Sequence, residues 1–376
     1  MNRKLHILFI SSWFPSRVLK TNGDYIQRHA EAVALLHKVS VLHIISDASI
    51  SKTEIIIDHQ KGVTIFTGYV PKSRNGLFRI FLYAQVFLKI LKKIDNFDLV
   101  HVHRIYPLGF FALFLKWFKN IPFLLTEHWT GYLSTGTEKP SNFEKLAVRY
   151  LVAKALFVCP VSKLLKKDMV QLGFKGRYVC IGNSIDESVF SSIRKNNTQF
   201  TLVHVSNLRD VQKNISGMLR VAKKLENQIG SFTWKFIGGS SKIYQELIKE
   251  LNFTKANLVF ENHLSQEDLS IHLQEADLCI SFSNYESFGI VVPEALLCGT
   301  PVIATQTGIM GEMPIDDKIK SIPVANERAL EEAILKHYSS KENLDYNELN
   351  LFIHSNFSKE QVAEKYSQLY FKMLVW

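Results

Sequence analysis

The sequence predicts an α/β protein built from two units, each a parallel β-sheet covered by helices. Short β-branched runs alternate with longer segments of helical period, which is typical of parallel sheets that are buried on both faces. The length of 376 residues suits two units of roughly 180 residues better than one. The alternation pauses once, in the polar stretch Glu187–Gln199, which separates an N-terminal unit from a C-terminal unit.

The N-terminal unit is expected to alternate apolar strands with helices, which predicts one sheet with helices on both faces. Its strands are predicted at Leu5–Ile10, Val39–Ile45, Leu99–His103, Phe123–Thr126, Leu156–Pro160 and Tyr178–Ile181. Its helices are predicted at Asp24–Leu36, Phe78–Ile94, Leu108–Phe118, Phe143–Lys154 and Lys163–Leu172.

The C-terminal unit repeats this pattern. Its strands are predicted at Thr201–Val205, Thr233–Ile237, Leu258–Phe260, Leu278–Phe282 and Val302–Ala304, and its helices include Ile215–Asn227, Ile243–Leu251 and Leu269–Ala276. Ser265, followed three residues later by Asp268, resembles a capping arrangement and predicts a helix start. Because ligands bind outside the carboxyl ends of the strands in open α/β sheets, we expect the chemistry in the cleft between the two sheets.

The charge is divided unequally along the chain. Residues 1–190 hold 26 basic and 13 acidic residues, a net charge of +13, whereas the remaining 19 basic and 22 acidic residues give −3. The basic half is expected to face an anionic partner, which leaves nucleic acid, a membrane surface and a phosphorylated substrate open. With 47% apolar and 21% charged residues, the composition excludes a disordered or coiled-coil chain.

The cysteines and the apolar segments indicate a cytosolic protein. No pair of cysteines has Cys-x-x-Cys spacing and each cysteine lies in or beside an apolar run, so we expect reduced core residues. These are Cys159, Cys180, Cys279 and Cys298. We expect no signal peptide. The most apolar stretches, 77–91 and 105–118, are shorter than the roughly 20 residues that a membrane span needs.

The most informative segment runs from Ser283 to Leu296, directly after a predicted strand. Glu286 lies at the end of that strand and Glu294 eight positions on, inside a predicted helix. The backbone N–H groups around Phe288–Ile290 are the free donors of a helix N-terminus and suit a phosphate or a sugar hydroxyl. Two carboxylates beside them can accept hydrogen bonds from the hydroxyls of a sugar and a ribose. The alternative is a loop carboxylate and a helix residue stabilised by the dipole.

The spacing Glu286-x7-Glu294, followed by Gly299–Ala304, resembles the signature of the retaining GT-B glycosyltransferases of glycosyltransferase family 4. Other segments similar to this family occur in the family's order, at Gly23–His29, His101–His103, Thr126–Trp129 and Gly182–Asp186. The resemblance implies the GT-B fold, in which two Rossmann-like domains face a central cleft. It implies an acceptor-binding domain at 1–188, joined by a closing helix within 359–376, and a donor-binding domain at 199–355.

The resemblance also implies the roles of particular residues. As catalytic residues it implies Glu286, which holds the donor sugar's hydroxyls, and His128, which lies near the reaction centre. Glu294 is implied to hold the nucleotide ribose and Lys213 to neutralise the donor diphosphate. The loop at Gly23 is implied to approach the distal phosphate, which requires a residue without a Cβ. The other expected donor-binding residues are Asn207, Arg209, Ser287, Phe288, Gly289 and Ile290.

The residues alone leave plainer alternatives open. Without the motifs, Lys213 fits a solvated lysine at a helix start, Gly23 a turn glycine, and His128 a hydrogen-bonded structural histidine. Two positions also depart from the family pattern. Asn207 replaces the arginine that usually precedes the lysine by six positions, with Arg209 as a candidate substitute, and Ile309 replaces the second glycine of a later pair. Either change could weaken donor binding or mark a subgroup with a different donor.

No metal and no cofactor are expected. His101 and His103 share one face of a predicted strand, but no third ligand at suitable spacing accompanies them, so we expect structural or cleft-lining histidines. The sequence also has no Asp-x-Asp pair. A sugar-nucleotide enzyme without that metal site must stabilise the leaving diphosphate with cationic side chains and helix N-termini.

The resemblance therefore implies a retaining transferase that moves a sugar from a nucleotide diphosphate sugar, with UDP expected, to a glycan or lipid-linked glycan in cell-surface polysaccharide synthesis, and we expect it to act without a metal ion. Lysines beside aromatic residues in the basic half indicate contact with an anionic membrane. Nucleic acid is not an expected partner, because no known binding module is present. We expect the protein in the cytoplasm, at the inner face of the cell membrane. The alternatives are a sugar-nucleotide epimerase of the same fold and a degenerate glycan- or membrane-binding protein.

Overall fold

The computed structural model describes residues 3–191, 199–314, 317–340 and 347–375. Within them the chain forms a seven-stranded sheet in the N-terminal unit and a six-stranded sheet in the C-terminal unit. The strands of the first sheet are β1 His6–Ser11, β2 Lys38–Asp47, β3 Glu54–Gln60, β4 Val63–Pro71, β5 Leu99–His103, β6 Phe123–Glu127 and β7 Val158–Pro160. Those of the second are β8 Thr201–Val205, β9 Thr233–Ile237, β10 Asn257–Glu261, β11 Leu278–Ser281, β12 Val302–Thr305 and β13 Ile319–Ile322.

Both sheets have the crossed strand order of parallel α/β folds. The first runs β3-β4-β2-β1-β5-β6-β7 and the second β10-β9-β8-β11-β12-β13. Neighbouring strands are parallel, except that β3 pairs with β4 in the antiparallel sense. The central strands β1 and β5 are buried along their whole length, because helices cover both faces of the sheet.

Helices connect the strands and cover the sheets. In the N-terminal unit they are α1 Asp24–Ala34, α2 Gly76–Leu91, α3 Gly109–Lys119, α4 Asn142–Lys154 and α5 Lys163–Gln171. The later helices are α6 Asp210–Lys213, α7 Ile215–Ile229, α8 Gln245–Leu251, α9 Gln266–Glu275, α10 Val291–Leu297, α11 Glu327–Ser339, α12 Asn347–Phe357 and α13 Lys359–Val375. The predicted start of α9 is confirmed, since the Ser265 hydroxyl accepts a hydrogen bond from the Asp268 backbone N–H at 3.1 Å.

The final helix α13 returns to the N-terminal unit, where it packs on α1 and covers one face of the first sheet. Its Tyr366 and Tyr370 side chains are fully buried. The Tyr370 hydroxyl lies 2.7 Å from Nδ1 of His101 on β5, and the Tyr366 hydroxyl lies 3.1 Å from Oγ1 of Thr126 on β6. Helices α2, α3 and α4 cover the opposite face.

The sequence pattern missed β3 and β4, which form an antiparallel hairpin at the edge of the first sheet. Gln60 pairs with Val63 across the turn Lys61-Gly62, whose residues have φ angles of 45° and 79°. Positive φ at both turn positions matches the twist of two-residue hairpins. Both strands contain apolar residues, Ile55–Ile57 in the mostly exposed β3 and Ile65–Phe66 in the largely buried β4, so a strand pattern was present and was not recognised.

Other predictions differ from the structure in detail. The predicted strand Tyr178–Ile181 is confirmed only in part: Val179 and Ile181 donate backbone hydrogen bonds to β7 at 3.0 and 3.2 Å, but the regular pairing is limited to one bridge, from Tyr178 to Val158. The predicted helix Ile243–Leu251 begins instead as a 3₁₀ turn, Ser241–Tyr244, before α8. Of the predicted linker, residues 192–198 lie outside the described residues. The domain limits at 1–188 and 199–355 remain our proposal.

The structure gives two further findings about the chain as a whole. Cys159, Cys279 and Cys298 are buried, Cys180 is half-buried, and all four are free thiols. In the part of the chain that the structure describes, no helix combines the length and the apolar character that crossing a bilayer requires.

Candidate active site

A cavity of about 760 Å³ lies between the two units, at the carboxyl edges of their sheets. Residues that follow β1 and β6 line it from the N-terminal unit, and residues that follow β8 and β11 line it from the C-terminal unit. The cavity brings together every residue to which the sequence assigned a role: Gly23, His128, Asn207, Arg209, Lys213, Glu286, Ser287, Phe288, Gly289, Ile290 and Glu294. Parallel strands end at a common edge, so residues far apart in the sequence converge there.

Gly23 forms the turn that opens α1. Its φ of 75° lies in the left-handed region, and a Cβ here would approach both the backbone C and the backbone O of Trp13 to 2.6 Å. Only glycine permits such a close approach of two backbone segments. The turn thereby brings the start of α1 into the wall of the cavity.

Glu286 forms an ion pair with Lys213 inside the cavity. Lys213 ends the short helix α6, and the loop after β11 is tied to that helix by the Asn284 N–H, which donates to the Gln212 carbonyl at 2.7 Å. The Glu286 carboxylate also accepts a hydrogen bond from the Ser283 hydroxyl at 2.8 Å. Both charged side chains are largely buried, so the pair holds an anion and a cation side by side in the wall.

Glu294 forms an ion pair with Arg28, which belongs to α1 of the opposite unit. The two residues are 1% and 4% exposed. Burial raises the pKa of the Glu294 carboxyl, and the Arg28 guanidinium opposes that rise. The carboxylate predicted to hold a ribose is therefore anchored across the cleft, and Arg28 stands beside it.

Asn207 and Arg209 belong to the loop between β8 and α6. The Asn207 side-chain oxygen accepts a hydrogen bond from the Arg209 backbone N–H at 3.2 Å, so it shapes the loop. The Arg209 guanidinium is more than half exposed and bonds Glu138 of the N-terminal unit at 2.9 Å. Arg209, the candidate substitute for the missing arginine, is thus paired with Glu138 in a surface contact across the mouth of the cavity.

The loop Phe288–Ile290 is supported by a neighbouring turn. Gly308 has a φ of 56°, and a Cβ there would lie 2.2 Å from the Phe288 carbonyl oxygen. That carbonyl accepts a hydrogen bond from the Ile309 N–H at 2.9 Å. The side chain of Ile309, which stands where the family pattern has a second glycine, is buried and packs in the core.

Within the described residues, the backbone N–H groups of Gly289 and Ile290 have no protein acceptor.

His128 stands on a loop that Glu127 holds in place. The buried Glu127 carboxylate accepts hydrogen bonds from the backbone N–H groups of Ile105, His128 and Trp129 at 3.1, 2.8 and 2.8 Å. Burial raises the pKa of Glu127, while the nearby Arg104 lowers it. The loop that presents His128 to the cavity is therefore fixed by one side chain at the end of β6.

His128 belongs to a cluster of four buried histidines, the others being His29, His101 and His103. Nε2 of His128 lies 3.1 Å from Nδ1 of His103, and Nε2 of His29 lies 3.2 Å from Oδ1 of Asn183. Burial lowers the pKa of His29 to about 4 and holds the pKa of each of the other three well below its usual value. All four rings are neutral near pH 7, and Nδ1 of His128 has no partner among the described residues.

The histidines of the His101-Val102-His103 motif take part in protein contacts. His101 uses both ring nitrogens, toward the Tyr370 hydroxyl and toward Oγ1 of Thr126, each at 2.7 Å. Among the described residues, no group of three or more His, Cys, Asp or Glu side chains has an arrangement that could hold a metal ion. The motif thus contributes to the packing beneath the cavity.

Sequence reasoning missed three residues of this site, Arg28, His29 and Asn183. A signal was available, because all three lie inside the two segments Gly23–His29 and Gly182–Asp186 that resemble the family. Their contacts were not visible in the sequence, since Arg28 pairs with a residue 266 positions away and His29 with one 154 positions away.

Two family models match the chain, Glycosyltransferase Family 4 over residues 24–189 and Glycosyl transferases group 1 over residues 186–349. An uncharacterized glycosyltransferase of Methanocaldococcus jannaschii is 26% identical over 77% of this chain and 78% of its own length. N-acetyl-alpha-D-glucosaminyl L-malate synthase of Bacillus anthracis is 24% identical over 63% of this chain and 65% of its own length.

Solved structures share the fold. Sucrose-phosphate synthase from Thermosynechococcus elongatus superposes with a TM-score of 0.79 at 19% identity, over 99% of this chain and 100% of that one. HepE of Anabaena superposes with a TM-score of 0.71 at 16% identity, over 97% and 99%. The expected GT-B fold of two Rossmann-like domains is confirmed. The chain belongs to glycosyltransferase family 4, the group 1 glycosyltransferases that use nucleotide sugars.

Proposed function

We propose that the protein transfers a sugar from a UDP-sugar to a glycan or lipid-linked glycan acceptor, with retention of the anomeric configuration and without a metal ion. The observation that carries this proposal is a cavity between the two units that is lined by the Lys213–Glu286 ion pair of the C-terminal unit and by the Arg28–Glu294 ion pair, which joins the two units. Such a site offers carboxylates to sugar hydroxyls and cations to a diphosphate. Cell-surface polysaccharide synthesis in the cytoplasm is the setting we propose.

The proposed donor site uses the second unit for most of its contacts. Glu294 accepts hydrogen bonds from the ribose hydroxyls and Glu286 from hydroxyls of the sugar. Lys213 and the open N–H groups of Gly289 and Ile290 bind the diphosphate, where they stabilise the negative charge that grows as the sugar leaves. The turn at Gly23 approaches the distal phosphate from the first unit. UDP is the proposed nucleotide because HepE has been solved with UDP and glucose, and a trehalose-6-phosphate protein of E. coli with UDP-2-fluoro glucose.

His128 lies nearest the proposed reaction centre. Because its pKa is held well below the usual value, its ring is neutral at pH 7 and can approach the sugar without adding charge. The transition state that we propose is oxocarbenium-like, with positive charge on the sugar that the neighbouring Glu286 carboxylate stabilises. Retention of configuration is proposed from the Glu286-x7-Glu294 signature.

The activity is tested by incubating the protein with UDP-, ADP- and GDP-sugars and glycan acceptors, with and without a chelator. We expect a product with the UDP-sugar, equal rates with and without chelator, and an anomeric configuration, read by NMR, that matches the donor. A rate abolished by chelation contradicts metal independence, and an inverted linkage contradicts retention. Donor turnover without acceptor favours the epimerase, and the lack of binding to any nucleotide favours the degenerate binding protein.

The proposed acceptor lies at an anionic membrane, and the outer surface of the N-terminal unit supports this. Large apolar side chains, each more than half exposed, project from the first turns of α2 and α4: Leu77, Phe78, Ile80, Phe81, Phe143 and Leu146. Between Asp58 and Asp95 the sequence contains basic residues but no acidic one. Exposed apolar groups near a stretch rich in cations favour a surface of anionic lipids.

This surface and the cavity share one edge of the protein. Helix α2 follows β4 and helix α4 follows β6, so both begin at the carboxyl edge of the first sheet, where the cavity also opens. A protein that docks by these helix starts turns its cleft toward the bilayer. A lipid-linked acceptor then reaches the cavity without leaving the membrane.

Membrane contact is tested by sedimentation with vesicles of phosphatidylcholine alone or mixed with phosphatidylglycerol. We expect binding only to the anionic vesicles, a decrease with added salt, and a loss of at least about tenfold for Phe78→Ser combined with Phe81→Ser. Ile243→Ser removes an exposed apolar side chain from the other unit and serves as the matched control. Equal binding by both variants and the wild type contradicts the proposed surface.

A further inference from the structure

Arg28 is a buried cation of the cavity whose hydrogen-bonding capacity is not used up. Its Nη1 donates to Oε1 of Glu294, and its Nη2 lies 3.5 Å from Oδ2 of Asp24. Its Nε has no partner among the described residues, although Arg28 is 4% exposed. A guanidinium has five N–H donors, and a buried donor without an acceptor is unfavourable. The Nε–H group is therefore a buried donor for which a ligand could supply the acceptor.

The other cationic side chains that line the cavity supply little free positive charge for a bound diphosphate. A nucleoside diphosphate brings at least two negative charges, and Lys213 already shares its charge with Glu286. Asn207 is uncharged, and the Arg209 guanidinium lies at the surface on Glu138. Among the described residues that line the cavity, Lys213 and Arg28 are thus the cations that are held largely inside it.

We propose that Arg28 is the second cation of the donor site, and that its Nε–H donates to a phosphate oxygen of the nucleotide diphosphate while Nη1 stays on Glu294. This inference rests on the proposed function. The planar guanidinium suits the task, because it can bond a carboxylate and a phosphate with different N–H groups at the same time. One side chain of the first unit would then hold the ribose-binding carboxylate and the diphosphate together.

The opposing interpretation is that Arg28 only holds the two units together through Glu294. The two interpretations differ in what they predict for ligands with and without phosphate. A diphosphate contact makes Arg28 matter for UDP far more than for uridine. A purely structural bridge affects the shape of the whole cavity, so that both ligands lose affinity by the same factor.

The test measures the binding of UDP by calorimetry and of uridine by ligand-observed NMR, in the full chain. We expect Arg28→Gln to weaken UDP binding by about 10–100-fold, which is the range for hydrogen bonds to charged groups, and uridine binding by less than about threefold. Adding Asn207→Arg to Arg28→Gln returns a cation to the cavity from the other unit. This double variant is expected to recover UDP binding by about fivefold or more.

Arg28→Gln leaves the Glu294 carboxylate buried without its partner, so a second variant protects the test against misfolding. Arg28→Lys keeps the charge beside Glu294 but has no equivalent of Nε, and we expect it also to lose UDP affinity selectively. Arg220→Gln breaks an arginine–carboxylate pair, with Glu327, on the surface and is the matched control. Equal losses of UDP and uridine affinity overturn this inference alone, whereas a wild type that binds no UDP, ADP or GDP overturns the proposed function with it.

Discussion

Nε2 of His128 lies 3.1 Å from Nδ1 of His103, so two buried imidazole rings are joined by one shared proton. Both rings are neutral, because burial holds the pKa of each well below its usual value. One ring therefore donates and the other accepts, and the orientation of His128 in the cavity depends on its neighbour. His103 is a positioning residue for the histidine that we place at the reaction centre.

We expect His103→Phe, which keeps a ring of similar size but removes the hydrogen bond, to lower kcat by about tenfold, the cost of one hydrogen bond. The KM for the donor should change by less than about twofold, since His103 touches no donor atom in our proposal. Steady-state kinetics with a UDP-sugar measure both. His43→Phe, which removes another buried histidine away from the cavity, is the control. A large rise in donor KM with unchanged kcat contradicts a positioning role.

The buried histidines also predict how stability depends on pH. The pKa of His29 and of His43 is lowered by burial to about 4, and that of His204 to about 3. Below pH 6.5 the unfolded chain binds protons that the folded protein excludes, so the free energy of unfolding falls as the pH drops from about 6.5 to about 4. Each such histidine contributes about 1.4 kcal/mol per pH unit in this window.

Chemical denaturation at pH 7, 6 and 5 measures this slope. We expect His43→Gln to reduce it by about 1.4 kcal/mol per pH unit, because that side chain no longer titrates in the unfolded state. Stability that stays constant between pH 6.5 and 5 contradicts the neutral, buried state of these rings.

Gly23→Ala tests the turn at the entrance to the cavity. The new Cβ would lie 2.6 Å from the Trp13 backbone, and a left-handed φ costs a non-glycine residue about 1–3 kcal/mol. We expect UDP affinity to fall by about tenfold or more, since the loop must move to relieve the clash. Gly76→Ala places a methyl group in open space and is the matched control, with affinity unchanged. Calorimetry with UDP compares the two, and equal affinities would count against the tight turn.

From the packing of helix α13 we expect the stability of the protein to depend strongly on Tyr366 and, to a smaller extent, on Tyr370. Tyr366→Ala removes a fully buried ring between α1 and the first sheet and is expected to destabilise the protein by about 3–5 kcal/mol. Tyr370→Phe removes only the hydroxyl that bonds His101 and is expected to cost about 1 kcal/mol. Leu374→Ala, in an exposed position of the same helix, should change stability by less than about 0.5 kcal/mol. Chemical denaturation gives all three values, and a Tyr366→Ala variant as stable as Leu374→Ala contradicts the packing described for α13.

Much of the fold could be predicted because burial leaves a periodic trace in the sequence. Strands such as β1 and β5 are covered on both faces, so their predominantly apolar runs stand out from the amphipathic helices beside them. The edge strand β3 contains Ile55–Ile57 but is mostly exposed rather than buried on both faces, and its hairpin depends on the two-residue turn Lys61-Gly62. Where burial is one-sided or absent, the pattern weakens and local turn chemistry becomes the better guide.

The residues of the candidate site could be predicted from the sequence, but the contacts among them could not. Glu286, Glu294, Lys213 and Gly23 were found by their motifs and by their place after strands, because those features are local. The contacts among them are not local, since Lys213 lies 73 residues before Glu286 and the two meet only when α6 docks against the loop after β11.

The sequence by itself determined two parallel-sheet units, the edge at which their chemistry lies, and the residue types available there. The tertiary structure alone decided which charges face each other: Arg28 of α1 meets Glu294 of α10, and Arg209 is held at the surface by Glu138. The physical reason is that periodicity records whether a side chain is buried, whereas the identity of its partner depends on how the two sheets approach each other across the cleft.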